Sequence, residues 1–401
     1  MISNKDRTRT APLRVAMLVV DANDVKGLTH QDANLESPVL HTAVSNLLSG
    51  IQSSKDVEIH VLYGRKNAAP KEARHEGAVR YVPVQYKPVP FLGMGGSLLA
   101  RTLALLSAIR TLKPDLVHGQ GTERESGLVA ACCRIPSILT LHGNLSEIAR
   151  SLQAKPFSYF WIAAKLEQWV LPKVTLIHCI SAHTRESVCR RAKKTAIIPN
   201  AVAEAFFKVE RQPVSHPSVI CMAGIAEWKN PLVLVKASDS LHRYDPKTKI
   251  HFYGYCASEH RYGRAFLEAL ESRPWCVHHG HSTQATLLNA LASATCSVLP
   301  SKQENFGLAL AESMAAGVAV LGANVGGIPD VIQNEVTGLL FDPDKPDELA
   351  QLLIDLHSDK GKMQRLAEAG RAEAIRRFSI ESVSAAHLKM YHELLSKPPT
   401  Q

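Results

Sequence analysis

The sequence predicts an α/β protein made of two open parallel sheets, each wrapped by helices. Three observations predict it. The chain has 401 residues, 45% hydrophobic and 21% charged, which is enough for two cores of roughly 200 residues each. Short apolar, β-branched runs alternate with longer helical patterns, as βαβ units require. The alternation comes in two series, separated by "IIPNAVAEAFFKVERQPVSHPSV" over residues 197–219, where Pro199, Pro213 and Pro217 interrupt periodicity. A hinge is therefore expected near residues 201–216.

Taken in order, the chain opens "MISNKDRTRTAPLRVAMLVVD". Its apolar run, Val15 to Val20, is too short for a secretory core and ends in Asp21 without a small-residue cleavage site, so it reads as a first strand. "VEIHVLY", "DLVHGQ", "SILTLHG" and "TLIHCIS" continue the first series as strands. "SLLARTLALLSAIRTLK" and "KPFSYFWIAAKLEQWVLPK" lie between them at helical spacing. The longest apolar stretch, "FLGMGGSLLARTLALLSAI", is broken by Arg101 and falls short of a bilayer span. The first helix is best read as packing on its own sheet; the second, aromatic and flanked by lysines, suits sheet packing or a bilayer interface equally. "SVICMAG", "KIHFYG", "TCSVLPS", "AVLGAN" and "TGLLFD" form the second series.

Charge is uneven: the first 200 residues hold 26 Lys and Arg against 15 Asp and Glu, and the remainder 20 against 22. A basic first half favours an anionic partner there, such as a phospholipid surface or a pyrophosphate-bearing acceptor, or is simply a solvated basic face. No nucleic-acid partner is expected. The eight cysteines form no CxxC pair and mostly sit in apolar runs, which suits buried free thiols and a cytoplasmic location, at most peripheral on the inner face of a membrane.

In open parallel sheets, ligands gather beyond the carboxyl ends of strands. Those places hold His118, Gly119 and Gln120; His142, Gly143 and Asn144; Ser181; residues 224–229; Gly254; Gly280 and His281; and residues 301–307. The loop after the first strand, "VDANDVKGLTHQ", offers only Gly27.

The most informative stretch is "LPSKQENFGLALAESMAAG", residues 299–317: a strand end, a polar loop, then a helix closed by Gly317. Its helix start offers backbone N–H groups around Asn305, Phe306, Gly307 and Leu308, a site suited to phosphate. Two acids flank it. Eight residues of helical rise would set Glu304 and Glu312 up to about 12 Å apart, wider than the roughly 5 to 9.5 Å of paired glycosidase carboxylates. They suit two ends of one elongated ligand better than an acid/base couple. "DPD" at Asp342 to Asp344 resembles a metal-binding DxD but sits where Asp and Pro make a turn and cap a helix. Cys276, His278, His279 and His281 alternate across two strand faces and lack a second ligand pair, so no metal is expected.

Residues 296–348, "CSVLPSKQENFGLALAESMAAGVAVLGANVGGIPDVIQNEVTGLLFDPDKPDE", resemble the donor-binding region of retaining glycosyltransferases of family 4. "ENFGLALAE" matches their E-x7-E motif, and "GGIPD" and "TGLL" follow as in that family. "LKPDLVH", "LTLHG", "CISAHT", "IIPNAV", "WKN", "HGH" and "FSIESVSAAHLKMYHELL" extend the likeness over nearly the whole chain. The resemblance implies a GT-B fold: an acceptor-side domain over residues 1–203, a nucleotide-sugar domain over residues 204–379, and a last helix, residues 380–401, crossing back to the first domain. It implies that Glu304 contacts the donor sugar, Glu312 the ribose, and Lys229 the diphosphate, an ammonium suited to a leaving phosphate. Gly224 stands where the family has an arginine. His281, or a basic residue of the first domain, is then the substitute cation, with Gly280 beside it on the donor side. His142 corresponds to a histidine beside the sugar and acceptor, and Gly27, His118, Gln120 and Gly143 fall on the acceptor side.

The expected function is a retaining, metal-independent hexosyltransferase. It would need no cofactor, use a nucleoside diphosphate sugar, and act on a polysaccharide, lipopolysaccharide or lipid-linked glycan intermediate. Two other readings remain open at this stage: a sugar-nucleotide epimerase of the same architecture, which would act without acceptor, and a non-catalytic nucleotide-sugar-binding subunit, suggested by Gly224.

Overall fold

The computed structural model describes residues 11–20, 42–66, 74–89, 93–122, 124–213 and 216–396. Gly27 lies outside them.

One sheet holds β1 (Leu13–Leu18), β2 (Val57–Lys66), β3 (Arg74–Glu76), β4 (Val79–Tyr86), β5 (Leu116–Gln120), β6 (Ser137–Leu141), β7 (Leu176–Cys179) and β8 (Thr195–Ile197). Their order is β3-β4-β2-β1-β5-β6-β7-β8, parallel throughout except for the β3–β4 hairpin. A second sheet, all parallel, holds β9 (Ser218–Met222), β10 (Lys249–Tyr253), β11 (Cys276–His278), β12 (Cys296–Leu299), β13 (Ala319–Ala323) and β14 (Leu339–Phe341), ordered β11-β10-β9-β12-β13-β14. Each sheet reverses winding direction once, between β1 and β5 in the first and between β9 and β12 in the second. Such switch points open a crevice at the carboxyl ends of the flanking strands.

Central strands are buried on both faces, as parallel sheets under helices must be: Val15 to Leu18 and Val298 are at most 1% exposed. β3 and β4 escape simple pattern reading because Pro83 interrupts β4, and β3 is three residues long. Gly77, in the left-handed region with φ +60, makes their turn. Half of the cysteines, 179, 221, 276 and 296, are buried thiols, whereas Cys132 and Cys189 are exposed, so the expectation of mostly buried thiols holds for only half.

The chain divides into two compact units: residues 1–180, 184–198 and 384–401, and residues 181–183 and 199–383. The hinge expected at residues 201–216 needs correction. Ala201, Val202 and Phe206 are buried, Val202 N–H donates to the Phe378 carbonyl, and the Arg211 guanidinium donates to the Leu291 and Ala294 carbonyls. Residues 201–213 therefore pack into the second unit. Prolines there mark the end of periodicity, not the end of tertiary contact. The last helix, Ile380–Ser396, starts in the second unit and belongs to the first from Ser384 onward.

The helix Gly93–Leu112 packs through Leu105 and Ile109. Its buried Arg101 lies 3.3 Å from the Glu125 carboxylate and over the Tyr86 ring. Among the described residues no helix is long and apolar enough to cross a membrane.

Candidate functional site

In the second unit, the loops leaving β9 and β12 face each other across the switch point. The β9 loop ends in a single tight turn, Glu227–Lys229, followed by Asn230 in the left-handed region. Asn230 tolerates that conformation, and its side-chain amide is anchored on the Pro343 carbonyl at 2.8 Å. The β12 loop is tied to this turn by backbone bonds from Lys302 and Gln303 N–H to the Trp228 carbonyl, at 2.8 and 3.3 Å. Across the joint the Lys229 ammonium pairs with the Glu304 carboxylate at 2.5 Å. Neither is deeply buried, their side chains being 27% and 16% exposed, so both ends stay within reach of a ligand.

The helix Leu308–Ala315 begins at Gly307, whose φ of +92 excludes ordinary L residues. A Cβ there would meet nothing nearer than 3.5 Å, so conformation, not space, requires glycine. Three expectations for this segment change. Asn305 N–H already has an acceptor, the Glu304 carboxylate at 3.2 Å. The Phe306 ring is 3% exposed and packs edge-to-face on Phe378, so only its backbone can serve a ligand. Glu304 and the three residues after it precede the helix, so helical rise does not set the Glu304–Glu312 separation. Glu312 lies inside the helix, and burial pushes its carboxyl up to about 8.

Gly326 and Gly327 of "GGIPD" act from behind this loop, a role that sequence reading missed. A Cβ on Gly326 would overlap the Glu304 carbonyl oxygen, and one on Gly327 that of Asn305, while Gly327 N–H donates to the Glu304 carbonyl at 2.9 Å. Adjacent glycines ahead of a short helix were the available signal. Gly224 is open, with only the Tyr255 carbonyl oxygen, 3.8 Å away, near its missing side chain. Gly280 adopts φ +70 and also faces open space, and its carbonyl accepts from Gly254 N–H. His281 is exposed.

In the first unit, His142 follows β6 directly and is half-buried, its Nε2 3.0 Å from the Gln120 side-chain oxygen. Gly143 and Asn144 come next, and Asn144 caps the helix Leu145–Ser151 by accepting from Glu147 N–H. That helix start is held by Glu167, whose carboxylate accepts from Leu145 N–H, Ser146 N–H, and the Ser146 and Thr122 hydroxyls.

His118 and Gln120, expected on the acceptor side, are both buried. His118 lies within β5, 0% exposed, and Gln120 is 7% exposed. His118 instead belongs to a buried relay whose proton positions follow from its end. The Ile198 carbonyl can only accept, so His178 Nε2 donates to it at 2.8 Å. His178 Nδ1 then accepts from the Thr140 hydroxyl, whose oxygen accepts from His118 Nε2–H at 2.7 Å. His118 Nδ1 in turn accepts from the Tyr391 hydroxyl of the last helix at 2.8 Å. Both rings must be neutral for this, and burial lowers both, His118 well below its ordinary value and His178 to about 4. An unfolded imidazole protonates near 6.5, so acidification from there toward pH 4 favours unfolding.

Thr140→Val strands a ring nitrogen on each side. It is expected to cost about 2 kcal/mol and lower the melting of the first unit by roughly 4–8 °C, with Thr140→Ser close to wild type. Differential scanning calorimetry checks both.

The two metal-like motifs also resolve. Asp342 accepts from Asp344 N–H at 3.0 Å and pairs with Lys345, closing a turn. Lys345, not an Asp, occupies the N-cap of the helix Pro346–Ser358, which corrects the expected capping. Cys276 contacts Ser238, His278 donates to the Gly254 carbonyl, and His279 pairs with His251, so the cluster is dispersed. Among the described residues no group of three or more His, Cys, Asp or Glu is arranged to hold a metal ion.

Two doubly wound parallel sheets, each with a ligand crevice at its switch point, are the architecture of GT-B proteins. Residues 202–373 match the family model for glycosyl transferases group 1, and residues 41–206 match that for glycosyltransferase family 4. The chain is 33% identical over 352 residues to α-maltose-1-phosphate synthase of Mycobacterium tuberculosis, covering 79% of this chain and 89% of that protein. It is 31% identical over 193 residues to D-inositol 3-phosphate glycosyltransferase of Xylanimonas cellulosilytica, covering 47% of this chain and less than half, 45%, of that protein. The Anabaena protein HepE, solved in complex with UDP-glucose, superposes with a TM-score of 0.69 at 15% identity, over 95% of this chain and 100% of that one. The chain belongs to glycosyltransferase family 4.

Proposed function

We propose that this glycosyltransferase moves a hexose-type sugar, with retention and without a metal, from a nucleoside diphosphate sugar to a hydroxyl. The acceptor class would be a polysaccharide, lipopolysaccharide or lipid-linked glycan intermediate. The Lys229–Glu304 pair carries the proposal: a cation and an acid on two loops joined by backbone bonds, beside a glycine-started helix. A diphosphate fits between Lys229 and the helix start, with the sugar on Glu304 and the ribose on Glu312. The occurrence of UDP-glucose in a protein of the same fold is consistent with such a donor. The bond from the anomeric carbon to the diphosphate oxygen breaks and that to the acceptor oxygen forms on the same face. The acceptor proton passes to the departing phosphate oxygen. Lys229 and the helix dipole stabilise the negative charge that grows there, so no divalent ion is required. His142, on the first unit, is assigned to the sugar and acceptor side.

A panel of nucleotide sugars scored by thermal shift identifies the donor, because a ligand that binds the folded state raises melting in proportion to ln(1 + [L]/Kd). With the identified donor and a hydroxyl acceptor, release of nucleoside diphosphate in the presence of EDTA is the expected result. An epimeric sugar nucleotide formed without acceptor, or binding with no release for any acceptor, would refute transfer.

A further inference from the structure

The helix Tyr159–Val170 buries Ala163, Ala164, Glu167 and Val170. Along one flank of that buried face run Tyr159, Ile162, Leu166 and Trp169, spaced three, four and three residues apart, which places them within one narrow arc. A helix that only covers a sheet leaves its exposed positions polar; here Tyr159 is 47%, Ile162 44% and Trp169 44% exposed. The turn before it adds Phe157, 81% exposed, and the end of the preceding helix adds Leu152, 52% exposed.

The surroundings are cationic. Residues 150–194 hold nine Lys and Arg against two acids, and one of those acids, Glu167, is turned inward and 1% exposed. Lys165 lies over the Trp161 ring, and Lys173 over Trp169 at 4.2 Å from the ring centroid. The Lys193 ammonium reaches the Lys173 carbonyl at 3.5 Å, which joins the exposed run Arg190, Arg191, Lys193 and Lys194 to the same edge.

We propose that this exposed flank docks on an anionic phospholipid bilayer. The aromatic and aliphatic side chains enter the headgroup boundary, and the lysines and arginines meet lipid phosphates. Tyrosine and tryptophan, apolar with one polar atom, suit that depth. A mixed apolar and basic face with no exposed acid on its helix complements an anionic interface, and charge and burial add in holding it there. The proposal is independent of the acceptor assigned above. It has a consequence for catalysis all the same: the inner side of this helix carries Glu167, which holds the start of the helix after His142. Docking would therefore set the His142 loop close to the lipid surface.

The test is sedimentation of the full chain with vesicles of phosphatidylglycerol and phosphatidylethanolamine, and with pure phosphatidylcholine vesicles, at 0.1 and 1 M salt. Binding to the anionic vesicles at least tenfold tighter than to phosphatidylcholine, and weakened by salt, is expected. Ile162→Glu with Trp169→Glu should cut it at least tenfold, as should Lys173→Glu with Lys193→Glu. Melting temperature and nucleotide-sugar thermal shift should be kept in both variants. Equal binding to both lipids, or binding that survives both variants, overturns the proposal. So does a wild-type chain that ignores vesicles but dimerises in analytical ultracentrifugation through this face.

Discussion

Lys229→Ala is expected to lower kcat by about 10²- to 10³-fold, the range for removing one donor aimed at developing charge. The fold should survive. The Lys229–Glu304 pair is partly exposed, so its loss costs only about 0–1 kcal/mol of stability. Two further effects make the measurement specific. Lys229 is held by Glu304, so a diphosphate competes with that carboxylate for the ammonium. Gly224 leaves room for a second cation, because its backbone is not left-handed and only the Tyr255 carbonyl lies near. Adding Gly224→Arg to Lys229→Ala is therefore expected to recover roughly tenfold of the loss, about the worth of one charged hydrogen bond. Steady-state kinetics with calorimetric melting on the same samples decides. Near-wild-type kcat in Lys229→Ala would remove Lys229 from the site.

Donor affinity is expected to rise with pH because of Glu312. Its carboxyl holds a proton up to about 8, through burial, whereas accepting both ribose hydroxyls requires the carboxylate. Binding then releases a proton. Affinity for a nucleotide sugar, whose diphosphate does not titrate here, should tighten about tenfold per pH unit below 8 and level off above it. Glu312→Gln should bind weakly and independently of pH. Stability runs the opposite way. An unfolded glutamate ionises near 4.3 while the folded one stays neutral, so stability falls as pH rises from there to about 8. At pH 8 the glutamine variant should melt above wild type while binding donor worse. Titration calorimetry across pH 6–9 with paired melts tests both signs, and a pH-independent wild-type affinity would rule out the ribose role.

Much of this protein is legible along the chain. Among the described residues, alternating strand and helix patterns place ten of the fourteen strands, and the loops after "SVICM" and "CSVL" hold the Lys229 and Glu304 that the fold brings together. Those signals are local: β-branched runs, glycines with positive φ and polar residues at strand ends each report on their own few residues. Where the pattern is short or interrupted, as at Arg74–Glu76, Val79–Tyr86 with Pro83, and the edge strand Thr195–Ile197, it failed.

Long-range packing decided the rest. "DLVHGQ" looks like a strand ending in ligand residues, yet Tyr391, 273 positions away, and Thr140 take both ring nitrogens of His118 into the core. Prolines suggested a hinge at residues 201–216, but Phe378 and Leu291 bind residues 201–213 into the second unit. The lysine-flanked helix was ambiguous because periodicity defines a face without saying what covers it; only the exposed Ile162 and Trp169 show which side the sheet leaves free. Motif resemblance carried the family, while local patterning and turn chemistry carried the two-sheet architecture and the residue types at the loops after β9 and β12. The tertiary structure decided which polar side chains face solvent and which are consumed in the core, because burial and hydrogen-bond partners depend on residues far apart in the chain.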